Sequence, residues 1–386
     1  MTHGPDPYVA TREALATWDL SSARAQRVLL KPNAGRIARR GSGIVTDARV
    51  VAAACDAFRE AGMEVSVGDS PIVGVKGTDA LEASGIADAA RRHGARVIDL
   101  DAPRAATVKL PDGVAIGELK VCPDVLMHDL VVSIPVMKTH MHTGVTLAVK
   151  NMKGALWRRF KVELHMLPPV DGREEKSLDL AIADMSAALR PHFSIIDGTV
   201  GMEGLGPSAG TAKPLGVIVA SADAYAADAV ACRLMGRQAD QIVHLREGAR
   251  QGLGVIDLES IRVTPRDWEA LTDPFQPAPS NLSIEFPGVR VLDEASCSAC
   301  QSTLLLFLNR FGNELAEYFP DAPPIYTAIG KGHERVPPGT LCVGNCTRRH
   351  RAKGIYVAGC PPVGSAILAT IKKKNELPPG DGDADG

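Results

Sequence analysis

Five of the chain's eight cysteines fall in its last ninety residues, as Cys297-x-x-Cys300, Cys342-x-x-x-Cys346 and Cys360 within a Gly-Cys-Pro-Pro run. This spacing constrains the fold more than any other feature. A CxxC pair on one turn offers two thiolates to one metal or cluster, and two more arriving from separate strand ends can close a four-sulfur cage. Thiolates are soft ligands that select zinc or iron–sulfur clusters over magnesium and calcium. Disulfides are the bland alternative. Residues 1–19 carry no basic start followed by an apolar run, so no export signal is visible, and cytosolic thiols stay reduced. The expected compartment is the cytoplasm.

The length, 386 residues, predicts two or three domains. A net charge of −2 offers no basic surface to nucleic acid. No run of eighteen apolar residues exists, so no membrane span is expected. Aromatic residues are only 4% of the chain, which leaves the core to Val, Ile, Leu and Ala and suits buried parallel strands.

The first 270 residues alternate apolar runs with amphipathic segments. Residues 27–31, 64–69, 96–100, 114–121, 129–136, 193–196 and 214–220 read as strands. Residues 47–61 (capped by Thr46, with Gly62 past the end), 79–92, 177–189 and 223–235 read as helices. This βαβ alternation predicts an α/β fold with a parallel or mixed sheet and flanking helices. Residues 1–271 form that domain, and 272–281, rich in proline, form a linker. Residues 282–376 form a smaller C-terminal α/β cysteine module, and 377–386 a disordered tail. In the module, a helix spans about residues 302–318, and a final helix 365–373. Cys346 and Cys360 follow the strands 340–343 and 354–357, while the CxxC pair precedes the first helix, whose N-terminal amides favour an anionic cluster.

The pattern Cys297-x-x-Cys300, Gly344-Asn345-Cys346, Gly359-Cys360-Pro361-Pro362 resembles the proximal-cluster motif of nickel–iron hydrogenase small subunits. That resemblance implies one 4Fe-4S cluster on Cys297, Cys300, Cys346 and Cys360, with Cys342 spare. Zinc is the alternative metal, though zinc sites usually show two close ligand pairs on short knuckles. The larger domain carries Lys31-Pro32-Asn33, Gly68-Asp69-Ser70-Pro71, the run from Ser133 to His140, the run from Leu147 to Gly154, and Asp197-Gly198-Thr199-Val200-Gly201-Met202-Glu203-Gly204-x-Gly206-Pro207. Together these resemble the domain-of-unknown-function family 362, over about residues 28–254. The family is linked to iron–sulfur proteins, many with a ferredoxin module. The usual ferredoxin run CxxCxxCxxxCP is absent here, and the CxxC, GxC, GCPP set replaces it. The resemblance implies a cluster and no particular reaction.

Lys138, His140, His142, Lys150 and Lys153 fall within sixteen residues. Lysines hold phosphate or carboxylate, and a desolvated lysine acts as base or Schiff-base nucleophile. Histidine moves protons near neutral pH. Lys138, His140 and His142 are the candidate catalytic groups; Lys31, Asn33, Asp69, Lys150, Lys153 and Glu203 are the candidate substrate-binding ones. A solvated basic loop is the competing reading. Lys31, Asp69 and Asp197 also follow strands, on the rim where sites form in such sheets, or serve as caps and turns. The stretch from Gly198 to Gly210 is expected to be a loop, either approaching an anion through its amides or acting as a lid. Cys55, Cys122 and Cys232 read as buried structural thiols. His165 is isolated and unassigned, and Trp157 with Arg158 and Arg159 marks a surface helix end.

The expectation is an iron–sulfur protein, acting as an oxidoreductase or through cluster-assisted chemistry on a small anionic substrate. Its partners are that substrate and an electron-donor protein, with neither nucleic acid nor membrane. A non-enzymatic electron-transfer subunit and a zinc-stapled binding protein are the alternatives.

Overall fold

Alternation along the strands explains the architecture. Val28 and Leu30 pack into one apolar cluster while Leu29, between them, packs into another. Val132 and Ile134 join the first and Val131 the second. These strands are buried on both faces, as a sheet sandwiched by helices requires. The computed structural model describes residues 1–278, 286–319 and 324–376. The chain divides into two compact units, Met1–Ser280 and Asn281–Gly386.

The first unit contains β1 (Thr2–His3), β2 (Arg27–Pro32), β3 (Glu64–Val67), β4 (Arg96–Val97), β5 (Ala106–Lys109), β6 (Glu118–Val121), β7 (Leu130–Ile134), β8 (Val136–His140), β9 (Gly144–Thr146), β10 (Phe193–Glu203) and β11 (Thr211–Ser221). Nine of them build one mixed sheet in the order β1-β11-β10-β7-β2-β3-β4, with β8 and β9 extending it alongside β10. The β10-β7-β2-β3-β4 portion is parallel, and β11 and β1 are antiparallel. Because the core strands are parallel, the residues that follow β2, β3 and β7 all lie at one carboxyl edge, where open α/β sheets bind ligands.

Several local expectations are corrected. The strand expected over 129–136 breaks at Pro135 into β7 and β8, so Lys138 and His140 lie inside a strand rather than beyond one. The strand expected over 114–121 is β6, outside the main sheet, paired with β5 in a separate hairpin and bridged through Val121 to Leu156. The single helix expected over 79–92 is two, Gly77–Ala83 and Ile86–Arg92, interrupted by Gly85 at φ 77°. Asp47, not Thr46, caps the helix Ala48–Glu60: its carboxylate accepts from the Arg49 N–H. The Thr46 hydroxyl instead donates to the Ile134 carbonyl and accepts from the Asn33 N–H. The glycine-rich stretch is strand from Gly198 to Glu203 and the expected loop only from Gly204 to Gly210. A side chain at Gly201 would stand 2.6 Å from the Met137 carbonyl oxygen, so that glycine lets β8 and β10 approach. The start of the expected linker is packed on the first unit: Asp273 and Phe275 donate backbone bonds to Leu234 and Met235, and Phe275 is buried. Residues 279–281 of it, and the tail 377–386, lie outside the described residues.

The second unit contains β12 (Val289–Asp293), β13 (Ile325–Ile329), β14 (Thr340–Val343) and β15 (Gly354–Val357), all parallel and in that order. The helices Ser298–Phe311 and Gly364–Glu376 cover one face through Leu304, Phe307, Leu308, Ile367 and Ile371. The first helix starts at Ser298, earlier than expected, and after Phe311 a 3-10 turn, Gly312–Glu314, leads into a second short helix, Leu315–Tyr318, that ends where the expected 302–318 does.

The cap assignment makes a prediction. Asp47→Ala should lower stability by about 1 kcal/mol, whereas Asp47→Asn should retain most of it. Urea denaturation measures both; equal losses in the two variants would refute the cap.

Candidate functional site

The carboxyl edge of the first unit is built around charge. Lys31 ends β2 and Asp69 follows β3, the neighbouring parallel strand, and Lys31 Nζ lies 2.8 Å from Asp69 Oδ1 with both side chains buried. The other carboxylate oxygen accepts the Ala34 N–H at 2.8 Å. Gly154 sits directly over the pair: a Cβ there would collide with the Asp69 carboxylate and lie 2.6 Å from Lys31 Nζ.

From this pair a chain of amides reaches Lys138. Asn151 Nδ2 donates to the Lys31 carbonyl at 3.1 Å and to Ser133 Oγ at 3.0 Å. Its oxygen accepts from Asn33 Nδ2 at 3.3 Å. Asn33 Oδ1 in turn accepts from Lys138 Nζ at 2.5 Å, and Lys138 also donates to the Ile44 carbonyl at 2.8 Å. The short helix Ala148–Asn151, which carries Lys150 and Asn151, is held by Asp228, whose carboxylate accepts from the Ala148 and Val149 N–H groups at 2.6 and 3.0 Å.

Basic side chains outnumber acidic ones here. Burial pushes Lys138 down to about 7, aided by Lys150, Arg36 and Lys31. Burial pushes Lys150 down to about 8, against the pull of Asp179. Burial also holds Lys153 well below its ordinary value, aided by Lys150 and Lys161. His140 and His165 are likewise held well below the usual histidine range by burial, with Lys150 and Lys153 contributing to both. His140 Nδ1 accepts the N–H groups of His142 and Thr143 at 3.2 and 3.4 Å. The neutral ring therefore carries its hydrogen on Nε2. The His142 ring stands 5.9 Å from that of His140 and 6.3 Å from that of His165.

Lys31, Asn33, Asp69, Lys138, His140, His142, Lys150 and Lys153 thus come to one edge. Glu203 does not bring its carboxylate there: it accepts the Gln276 N–H and pairs with Lys213. Asp197 acts structurally, accepting from Asp47 and Thr199, and burial raises it to about 6. Sequence reasoning missed His165, which contacts Lys153, and Lys161, which donates to Ser70 Oγ and lies 4.0 Å from Asp101. Neither carries a local signal, since Lys161 lies in the single-turn helix Phe160–Glu163 and His165 in the short 3-10 turn Leu164–Met166, both too brief to show periodicity. Asn151 was visible within the run Leu147 to Gly154, and Asp228 was hidden in an apolar helix.

In the second unit, Cys297 caps the helix Ser298–Phe311, and its thiol and that of Cys300 are hydrogen-bonded. The loops bearing Cys346 and Cys360 are stitched together: the Asn345 N–H donates to the Gly359 carbonyl at 2.8 Å, and the Gly359 N–H to Asn345 Oδ1 at 2.9 Å. Gly344, at φ 94°, lies against Cys300, whose Sγ would be 3.4 Å from a Cβ there. The Cys300 thiol is raised by its bond with Cys297 and by burial, then by the charges of Cys297, Cys346 and Cys360. The four thiols are therefore electrostatic neighbours. Cys342 is apart, in a small cluster with Ala328 and Val336, and burial raises it to about 11. No disulfide joins any of the eight cysteines. Among the described residues, no three His, Cys, Asp or Glu side chains stand as a formed metal site. Cys55, Cys122 and Cys232 are buried, and burial raises the first two to about 12.

Fold and site together define a mixed α/β protein with a cationic centre at the carboxyl edge of its sheet. The chain belongs to the family described as "Domain of unknown function (DUF362)", which matches residues 28–233. It is 27% identical over 288 residues to the thylakoid-associated protein sll1697 of Synechocystis, covering 75% of this chain and 85% of that one. Among solved structures it resembles the lactate racemase apoprotein of Thermoanaerobacterium thermosaccharolyticum (TM-score 0.39, 13% identity, 58% of this chain and 54% of that one). It also resembles a Thermotoga maritima protein (TM-score 0.32, 14% identity, 58% of this chain and 57% of that one). The chain thus spans little more than half the length of either solved structure. No helix among the described residues is long and apolar enough to cross a membrane.

The depressed lysines predict a pH dependence. Lys138 and Lys150 lose protons on folding, at about 7 and about 8 against an ordinary 10.5, so raising the pH through this range stabilises the folded state. Asp228, raised by burial to about 8, has the opposite effect below that pH, and the buried thiols oppose it above their ordinary 9.0. Between about pH 8 and 9 the melting temperature should therefore rise, and Lys150→Met should flatten the rise. A slope unchanged by that substitution would exclude Lys150 as its source.

Proposed function

We propose that this chain is an iron–sulfur enzyme that binds a small anionic substrate at the carboxyl edge of its first unit and handles a proton there. The surplus of buried basic side chains over carboxylates, which an anion would let take up protons, carries this reading. Lys31 has Asp69 and Lys161 has Asp101, but Lys138, Lys153 and Arg36 have no carboxylate within ion-pair distance among the described residues. Buried cations held close together are costly unless an anion compensates them. A carboxylate or phosphate supplies that charge. Lys31, Asn33, Asp69, Lys150 and Lys153 bind and orient it, and Lys138, His140 and His142 move its proton. Glu203 plays no part in this proposal, because its carboxylate is committed to Gln276 and Lys213.

The donor set of the second unit fits a 4Fe-4S cluster. Cys297 and Cys300 open a helix, the two glycine turns carrying Cys346 and Cys360 are bonded to each other, and the set repeats the hydrogenase-like order. Loading requires the four thiols to turn toward a common point. The cluster would supply single electrons. Zinc suits four thiolates equally well and is the alternative. Arg348, Arg351 and Lys353, exposed just after Cys346, favour an acidic electron-donor protein. That basic run also supports the second reading, an electron-transfer subunit without catalysis. We take the compartment to be the cytoplasm, where thiols stay reduced.

Two experiments test the two parts. Small carboxylates and phosphate should raise the melting temperature, by the equivalent of about 2.7 kcal/mol at a hundredfold excess over Kd. Lys138→Met combined with Lys153→Met should abolish the effect; indifference of the wild type to every anion would leave only the electron-transfer reading. Anaerobically purified protein should be brown and contain iron and sulfide. Cys360→Ser should lose the iron and Cys342→Ser keep it, whereas zinc without sulfide would assign the thiols to zinc.

A further inference from the structure

The geometry points to Lys138 as an amine nucleophile that captures the carbonyl of a small 2-oxo acid as an imine. This rests on the anion-binding reading of the same site and adds the substrate's second functional group.

The hydrogen bonds around Lys138 accommodate a neutral amine, because both acceptors are uncharged oxygens. Its Nζ donates to two oxygens, Asn33 Oδ1 and the Ile44 carbonyl, at 2.5 and 2.8 Å. The orientation of Asn33 is set by its neighbours. The Asn151 amide nitrogen is committed to the Lys31 carbonyl and Ser133 Oγ, so its oxygen faces Asn33 Nδ2 and leaves the Asn33 oxygen for Lys138. An uncharged lysine has two N–H bonds, both of them placed by these acceptors. Its lone pair then points away from them.

Electrostatics selects the same state. Lys31, equally buried, is kept charged by Asp69 at 2.8 Å. Lys138 has no such partner and stands among Lys150, Arg36 and Lys31, which favour its neutral form. A desolvated lysine beside other cations is the arrangement that activates an amine toward carbonyls.

The surroundings also define the substrate class. An iminium adds positive charge to a cationic site, so the carbonyl compound must bring its own negative charge. A carboxylate adjacent to the carbonyl does so at the shortest distance. The Nζ lone pair forms the C–N bond as the carbonyl oxygen takes up one N–H proton, giving a carbinolamine. His140 lies two residues along β8, on the same face of the strand, and carries its hydrogen on Nε2. That N–H hydrogen-bonds the departing hydroxyl, which takes a proton from solvent and leaves as water, and the iminium remains with one hydrogen on nitrogen.

The test is reductive trapping on the full-length protein. Pyruvate or glyoxylate with sodium cyanoborohydride at near-neutral pH should yield one secondary-amine adduct per chain, mapped by peptide mass spectrometry to Lys138. Lactate, which has the carboxylate but no carbonyl, should reduce the yield. Lys138→Arg should abolish the adduct, and Lys109→Arg, at an exposed lysine, should not. Should Lys138→Arg fail to fold, the wild-type map decides alone. No adduct, or adducts on the exposed Lys76 and Lys109 equal to that on Lys138, would overturn the inference. If lactate raises the melting temperature while trapping fails, the imine falls and the anion site stands; if neither occurs, both fall.

Discussion

The buried pair of Lys31 and Asp69 organises the first unit's functional edge. β2 and β3 are adjacent and parallel, pairing through Leu30 and Val67, so the residues that follow each strand emerge side by side. Removing either charge would strand the other in the interior, a loss of about 3–5 kcal/mol. The pair also orders what lies on it. Gly154 can settle there only because it has no side chain, and its carbonyl accepts the Ser70 N–H. The segment before it, bearing Lys150 and Asn151, is held from one side by Asn151 on the Lys31 carbonyl and from the other by Asp228.

Once Lys31 is satisfied, the remaining cations compete for too few acids. Low dielectric magnifies their repulsion and lets them relieve it by losing protons. The edge therefore holds amines and imidazoles largely in their neutral forms, oriented by neutral acceptors. Neutral bases and nucleophiles near physiological pH are what proton transfer and carbonyl capture require. The structural cost of burying lysines and the chemical usefulness of doing so have the same origin.

Strand parity does comparable work in the second unit. Along β14, Leu341 and Val343 enter the core beneath the helices, so Cys342 between them faces the other side of the sheet. Cys346 and Cys360 escape parity because each lies past a strand end, in turns that Gly344 and Gly359 shape with φ 94° and 145°. Asn345 ties these turns together through backbone and side chain, and Gly344 presses on Cys300. Strand parity thus turns Cys342 away from the face that carries Leu341 and Val343.

Much of this was legible in the sequence because it is local. Short apolar runs marked β2, β3, β14 and β15, and helical patterning marked Ser177–Leu189 and Ala224–Leu234. Lys31, Asp69, Lys138 and His140 were also visible, as polar residues ending apolar runs. What stayed hidden depends on contacts between distant segments. Pro135 cannot donate a ladder bond, yet only pairing with β10 shows that the chain resumes as β8 rather than turning away. Gly198 and Gly201 read as a loop because their role is to admit the neighbouring strands. Lys161 and His165 enter the edge from single helical turns too short to show periodicity, and Glu203 leaves it for Lys213 and Gln276. Composition and periodicity decided which residues were available for chemistry; long-range packing decided which of them lost water and which met a partner.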